Sequence, residues 1–274
     1  VPVAITLHAP DGLALNLVDF GGAGVPPLLL VHGSFGHARV WDAVVEHLPA
    51  SMHAFALDLP GHGDSGHAAD AARYGFDALV EDVGTAVTAL PAPPVLAGHS
   101  IGAAVAMLYA ARRAATLAGA VFIDIDPCPP DYQVQHLNEA GSRPAKRYTS
   151  FEDAVAREAR IAPGATAAMH DHLARHGYRE AGGSWEQKYD QGFLRAIRRW
   201  DVLDALREVR VPALIIRGGD SAVMAPESPA RMLERLPAGS AITIPAAGHQ
   251  VHLERPAEVA AALARFVATL RPGA

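Results

Sequence analysis

Three short glycine-bearing segments hold the residue types that nucleophilic catalysis requires: Gly98-His99-Ser100-Ile101-Gly102, His32-Gly33-Ser34-Phe35-Gly36 and Gly248-His249. A serine hydroxyl becomes a competent nucleophile when an adjacent base takes its proton. The first segment follows the apolar run Val95–Gly98 and precedes Ile101–Arg113, whose spacing is helical. That is the strand–turn–helix setting in which a G-x-S-x-G pattern carries meaning. So sharp a turn strains the backbone of its central residue, and only small residues two positions either side escape collision. Ser100 Oγ is then expected to project above a sheet, near the positive end of the following helix. A glycine turn that merely contains serine is the bland alternative, and the setting weighs against it.

Acyl transfer through a serine also needs two N–H donors for the oxyanion of the tetrahedral intermediate. One is expected from Ile101, directly after the serine. The other is expected from the loop after the apolar Leu28–Val31 run, at Ser34. Phe35, beside Ser34, and His99, beside Ser100, are expected to line the substrate pocket. His249 comes last in chain order, as a Ser…Asp…His series demands. Its competitor His252 lies at the approach to the final helix, whereas Gly248 suits a tight loop that exposes the His249 imidazole. His32 reads as a structural histidine bracing its loop. His170, His172 and His176 read as the surface of a solvated helix, since a metal site would need further ligands. No metal is expected. Cys128 has no adjacent base and reads as a small buried thiol.

The elements that must position these residues alternate along the chain. Ala4–Leu7 and Ala14–Asp19 read as strands joined at Pro10-Asp11-Gly12. Strands follow at Pro27–His32, His53–Asp58, Val95–Gly98, Gly119–Ile125, Ala213–Arg217 and Ala241–Ile244. Helical spacing is found at Val40–Leu48, Phe76–Leu90, Ile101–Arg113, Glu227–Leu236 and Glu254–Leu270, with Pro256 suited to a first turn. Such alternation implies an α/β fold with a mostly parallel central sheet and helices on both faces. Leu28-Leu29-Leu30-Val31 is apolar at every position, as a strand covered on both faces must be. The stretch Pro127–Trp200 breaks the pattern. Rich in charge and histidine, with Trp185 and Trp200 among its aromatics, it is expected to be a strandless helical lid over the ligand-binding edge of the sheet. Residues 1–126 and 201–274 would form the core and 127–200 the lid, inserted after the sixth strand.

The 274 residues include 23 Lys+Arg and 29 Asp+Glu for a net charge of −6, which gives no electrostatic reason to bind nucleic acid. No apolar run approaches the ~20 residues that span a bilayer. The N-terminal Val1-Pro2-Val3-Ala4 lacks the basic head of a signal peptide, so a cytoplasmic, soluble protein is expected. One cysteine excludes an internal disulfide.

With Leu29-Leu30-Val31-His32-Gly33, Asp58-Leu59-Pro60-Gly61-His62-Gly63-Asp64-Ser65, Gly98–Gly102 and Gly248-His249 in place, the chain resembles the α/β-hydrolases, of the lidded esterase, lactonase and carbon–carbon hydrolase type. The resemblance spans nearly the whole chain and implies that Asp58–Ser65 is a structural loop. It also exposes a departure. The family commonly places its catalytic acid in a Gly-x-x-Asp pattern, but here the stretch reads Gly218-Gly219-Asp220-Ser221, with serine at the acid position. Relatives that take the acid from the preceding strand match Phe122-Ile123-Asp124-Ile125-Asp126. Strand alternation would put Asp124 and Asp126 on one side. Asp124 is therefore the favoured acid, with Asp220 and Asp126 as alternatives. The implied activity is hydrolysis of a small carboxylic ester through a Ser100–His249–Asp124 triad without a cofactor. A lactonase or a carbon–carbon bond hydrolase would use the same groups. Serine at the usual acid position would also suit a non-catalytic binding protein of this fold.

Overall fold

The structure is a computed structural model that describes residues 1–270; residues 271–274 of the expected core segment 201–274 lie outside the described residues. Six strands come first: β1 (Val3–His8), β2 (Ala14–Asp19), β3 (Leu28–Val31), β4 (Ala54–Leu57), β5 (Val95–His99) and β6 (Gly119–Ile123). Three short ones follow, β7 (Arg147–Tyr148), β8 (Tyr178–Ala181) and β9 (Ser184–Gln187), and then β10 (Ala213–Gly218) and β11 (Gly239–Ile244). The α-helices are α1 (Asp42–Glu46), α2 (Phe76–Ala89), α3 (Ile101–Arg113), α4 (Asp131–Ser142), α5 (Phe151–Ile161), α6 (Ala167–Gly177), α7 (Gln191–Ala196), α8 (Ser228–Leu233), α9 (Val251–Glu254) and α10 (Pro256–Thr269).

Eight strands make one sheet in the order β1-β2-β4-β3-β5-β6-β10-β11. β1 and β2 pair antiparallel, as do β2 and β4, and the remaining pairs are parallel. This is the α/β-hydrolase fold. The all-apolar β3 lies inside the sheet with every residue fully buried. Its alternation feeds two separate layers: Leu29 and Val31 pack with residues of α2 and α3, Leu28 and Leu30 with residues of α1 and α10. Parallel order brings the C-terminal ends of β3, β5, β6 and β10 to one edge, where ligands bind in open α/β sheets.

Two expectations need correction. β6 stops at Ile123 rather than Ile125, because Asp124 adopts φ 48° and leaves the pleat. Asp124 and Asp126 therefore do not share a strand face. The segment between β6 and β10 is not purely helical either: β7, β9 and β8 form a small antiparallel sheet there. Gly182 (φ 58°) and Gly183 (φ 71°) turn the β8–β9 hairpin, a backbone that costs glycine little.

Leu30→Ala would open a cavity in the closed layer between the sheet and α1/α10. It is expected to cost about 2–5 kcal/mol, read as a lower urea midpoint with an unchanged m-value.

Candidate active site

Ser100 occupies the junction of β5 and α3 at φ 53°, ψ −125°, a backbone that a residue with a Cβ rarely adopts. Its flanking glycines explain how the junction fits. A Cβ on Gly98 would lie 2.2 Å from the Gly102 carbonyl oxygen, and one on Gly102 would lie 2.4 Å from the His32 carbonyl oxygen. Gly33 does the same for the neighbouring loop, since a Cβ there would come 2.7 Å from Ser100 Cβ. The Ser100 N–H donates to the Ile123 carbonyl at 2.9 Å, which ties the turn to β6. As the first residue of α3, Ile101 has an N–H without an intrahelical acceptor.

His249 bridges two side chains distant in sequence. Its Nε2 lies 3.1 Å from Ser100 Oγ and its Nδ1 lies 2.8 Å from Asp124 Oδ1. A carboxylate only accepts, so the imidazole proton sits on Nδ1 and Nε2 is left to accept from the serine hydroxyl. Asp124 is fully buried. Besides the His249 ring it accepts the Gly218 N–H on Oδ2 at 2.7 Å and the Ser221 hydroxyl on Oδ1 at 2.5 Å. The structure brings Ser100, His249 and Asp124 together and leaves the other two acids apart. Asp126 accepts from the Cys128 N–H at 2.9 Å and from the Ser228 hydroxyl. Asp220 is exposed, and its N–H donates to the Ala247 carbonyl at 2.8 Å.

Ser100, Ile101 and His249 open onto a cavity of about 850 Å³, which Ser34 and Phe35 also line. Phe35, at φ 66°, bends its loop toward the serine. His99, expected in the substrate pocket, does not line this cavity but a small neighbouring pocket that shares Ser34 and Phe35 with it. It is buried with its ring 4.7 Å from that of His249 and 4.2 Å from that of His252. Its Nε2–H donates to the His249 carbonyl at 2.8 Å, holding the backbone of the bridging histidine. His252 packs against Trp41 at 4.8 Å, and burial pushes its pKa down to about 3. His32 is the expected brace: Nδ1–H donates to the Gly33 carbonyl at 2.7 Å while Nε2 accepts the Leu59 N–H at 3.0 Å.

The segment between β6 and β10 contributes α4 and Trp200 to the cavity wall. Trp200 is buried, and its Nε1–H donates to the Asp126 carbonyl at 3.3 Å. Trp185 lies instead in the small sheet, edge-on to Phe151 at 5.0 Å. The three histidines of α6 are not a solvated face. His170 is buried and donates to the Ala162 carbonyl, His172 donates to the Arg39 carbonyl, and burial holds His176 down at about 4. Among the described residues no cluster of three or more His, Cys, Asp or Glu is placed to hold a metal ion. None of the described helices is long and apolar enough to cross a membrane. Cys128 is half-buried rather than enclosed, with burial as the main cause raising its thiol.

A mostly parallel sheet with serine, histidine and aspartate joined at its C-terminal edge defines a class of hydrolase, and sequence comparison agrees. Residues 28–262 match the alpha/beta hydrolase family, and the chain belongs to it. It is 29% identical to a pimeloyl-[acyl-carrier protein] methyl ester esterase of Stenotrophomonas maltophilia, over 93% of this chain and 97% of the relative. It is 25% identical to a 2-(acetamidomethylene)succinate hydrolase of Mesorhizobium japonicum, over 93% of this chain and 92% of the relative. The crystal structure of an E-2-(acetamidomethylene)succinate hydrolase shares the fold at a TM-score of 0.88 and 22% identity, covering 98% of this chain and all of the other.

Five wholly buried histidines, His32, His37, His62, His99 and His252, have their pKa values lowered, burial being the largest cause in each. Below the unfolded value of about 6.5 the unfolded chain takes up protons that the folded chain refuses, so stability falls as pH falls. A histidine with its folded pKa far below that value contributes up to roughly 1.4 kcal/mol per pH unit in the window between the two. The urea midpoint is therefore expected to drop steeply between pH 6.5 and 5 and to change little between pH 7 and 8.

Proposed function

We propose that this protein is a serine-dependent hydrolase of small carboxylic esters, with Ser100 as nucleophile, His249 as general base and then acid, and Asp124 as the group that orients the imidazole. The observation carrying this reading is the His249 bridge, 3.1 Å to Ser100 Oγ and 2.8 Å to Asp124 Oδ1. In the proposed cycle Ser100 Oγ attacks the acyl carbon as its proton passes to His249 Nε2. The backbone N–H groups of Ile101 and Ser34 hold the oxyanion. Collapse expels the alcohol, protonated by His249, and leaves an acyl-serine. Water, deprotonated by the same nitrogen, then attacks the acyl carbon and releases the acid and free Ser100. Protein groups and water supply every proton and electron pair in this sequence.

Residues 127–200 act in this reading as the lid, with α4 and Trp200 over the serine. The relatives' names support the reaction class, one being a methyl ester esterase and another a hydrolase of a substituted succinate. Phe35 lines the acyl or alcohol site, while His99 supports His249 from below.

Covalent labelling by a fluorophosphonate, read by intact mass, tests the nucleophile: Ser100→Ala is expected to fold and to take no label. A label retained by Ser100→Ala, or none on the parent protein, sinks the proposal and leaves a binding module of the same fold. Asp124→Asn should lower kcat by up to about 10⁴, through the wrong imidazole tautomer. Asp220→Asn is expected to stay within a few-fold of the parent, and the reverse ranking would move the acid to Asp220.

A further inference from the structure

Ser100 lies in the wall of the 850 Å³ cavity, so the acyl and alcohol parts of a substrate bound for attack must be housed there. The wall is largely apolar, with Phe35, Ile101, Ile125, Leu137, Ile161 and Trp200. Its carboxylates are Glu139, Asp220 and Glu254; the imidazoles of His136 and His249 line it too, and among the described residues no lysine or arginine does. Glu254 is held in place by the Gly248 N–H at 2.8 Å. Arg157 lies across Phe35 in a neighbouring pocket of about 40 Å³, 5.5 Å from the Phe35 ring centroid. Its charge is already matched, with Nη1 on Glu158 Oε1 at 2.9 Å.

Building on the ester-hydrolase reading, we infer that the substrate is an uncharged ester with an extended apolar acyl or alcohol part, and that esters bearing a carboxylate are rejected. A carboxylate taken into this cavity would lose water without a lysine or arginine to meet it, and would face Glu254 inside and Glu139 and Asp220 at the exposed rim. A neutral chain of the same length gains apolar contact along the same wall.

The test compares kcat/KM, at pH 8 where an ordinary imidazole is uncharged, for p-nitrophenyl hexanoate, the mono-p-nitrophenyl ester of adipic acid, and that monoester capped as its methyl ester. The capped diester has the length of the acid without its charge. The two neutral esters are expected within about fivefold of each other and the free acid at least about 10²-fold below both. Ala222→Lys, which adds a cation at the exposed rim, should narrow that gap at least fivefold. Equal turnover of acid and capped diester, or no turnover of any ester by a protein that still takes fluorophosphonate on Ser100, overturns the substrate class alone. Absence of both label and turnover overturns the hydrolase reading and this inference with it.

A second inference comes from Ser221. Its Oγ accepts the N–H groups of Val223 at 3.1 Å and Met224 at 3.3 Å, which occupies both lone pairs. The hydroxyl proton is left for Asp124 Oδ1, 2.5 Å away and the same oxygen that faces His249 Nδ1. Arg217 secures the loop around it, with Nε on the Met224 carbonyl and Nη1 on the Gly219 carbonyl, both at 3.0 Å. The geometry assigns Ser221 as a positioning residue: it fixes the Asp124 carboxylate and draws off part of the charge that would otherwise stabilise imidazolium on His249.

This too rests on the triad reading. Ser221→Ala is expected to lower kcat about tenfold with KM unchanged. The acidic limb of its kcat/KM profile should move to higher pH, because the more concentrated carboxylate charge raises the imidazole pKa. Ser221→Thr, which keeps the hydroxyl, should restore the parent limb. Ser221→Cys, a weaker donor of similar size, should fall between and decides the matter if the alanine variant does not fold. An unmoved limb in a folded Ala or Cys variant leaves Ser221 as loop packing and overturns the assignment. A fluorophosphonate label surviving Ser100→Ala would instead remove the triad on which the assignment stands.

Discussion

Ser100 is held at φ 53°, and most of the architecture around it is needed to keep it there. Three other non-glycine residues have positive φ: Phe35 after β3, Asp124 after β6 and Ala246 after β11. All four follow strands of one parallel run, so backbone strain is concentrated on a single edge of the sheet. Such conformations persist when the surroundings over-determine them. The Ser100 N–H is taken by the carbonyl of Ile123, and the Asp124 N–H by that of Ile216 at 2.8 Å. Ser100 and Asp124 are thus tied to the neighbouring strand, and the buried β3, β5 and β6 supply the rigidity.

The same edge has to hold a carboxylate out of water. Among the described residues Asp124 has no lysine or arginine partner in its hydrogen bonds; its charge is met by one backbone N–H, one hydroxyl and one ring N–H. Neutral donors fix the plane of the carboxylate without adding a charge beside it; in the proposed cycle that leaves its charge available to the His249 imidazole. Asp126, two residues on, is handled the same way, by the Cys128 N–H and the Ser228 hydroxyl. Beneath His249, His99 is kept neutral by burial and can donate to the His249 carbonyl without adding a charge next to the imidazole.

Much of this edge was legible in the residues, and the failures have physical causes. Ser100 and His249 stand out because a strand–turn–helix junction and a tight loop both demand glycine, which is visible as spacing. The parallel core is visible because strands buried on both faces have no polar residue to spare. Asp124 rested on a resemblance, since sequence carries no distance between β6 and His249. The residue-level signal is Ser221, a hydroxyl where an acid is expected, which reads as a loss until its hydroxyl is found donating to Asp124. His99 lines only the small pocket beside the cavity, and sequence does not show that its ring lies between those of His249 and His252. β8 and β9 were missed because their residues are charged and polar rather than alternating apolar. The signal present was Gly182-Gly183, a two-residue hairpin turn.

The segment between β6 and β10 divides its contacts in a way that follows from the cavity beneath it. One part is fastened to the core by polar contacts around a rim. The Asp190 N–H donates to the Gly61 carbonyl and its carboxylate accepts the Tyr74 hydroxyl at 2.7 Å, Lys188 pairs with Asp64 at 2.7 Å, and His172 donates to the Arg39 carbonyl at 3.0 Å. The other part, α4, lines the cavity and carries the exposed Tyr132. α4 reaches the β10 side of the core through Gln133, whose Nε2 donates to the Val223 carbonyl at 3.1 Å. An apolar wall gives little directional hold, since burial constrains area and not angle. Hydrogen bonds at the rim then add direction to the hold that Phe193, Leu194 and Ile197 make in the core, and Lys188 and His172 are placed there. His172, expected with His170 and His176 on a solvated helix, is one of the groups that dock the segment.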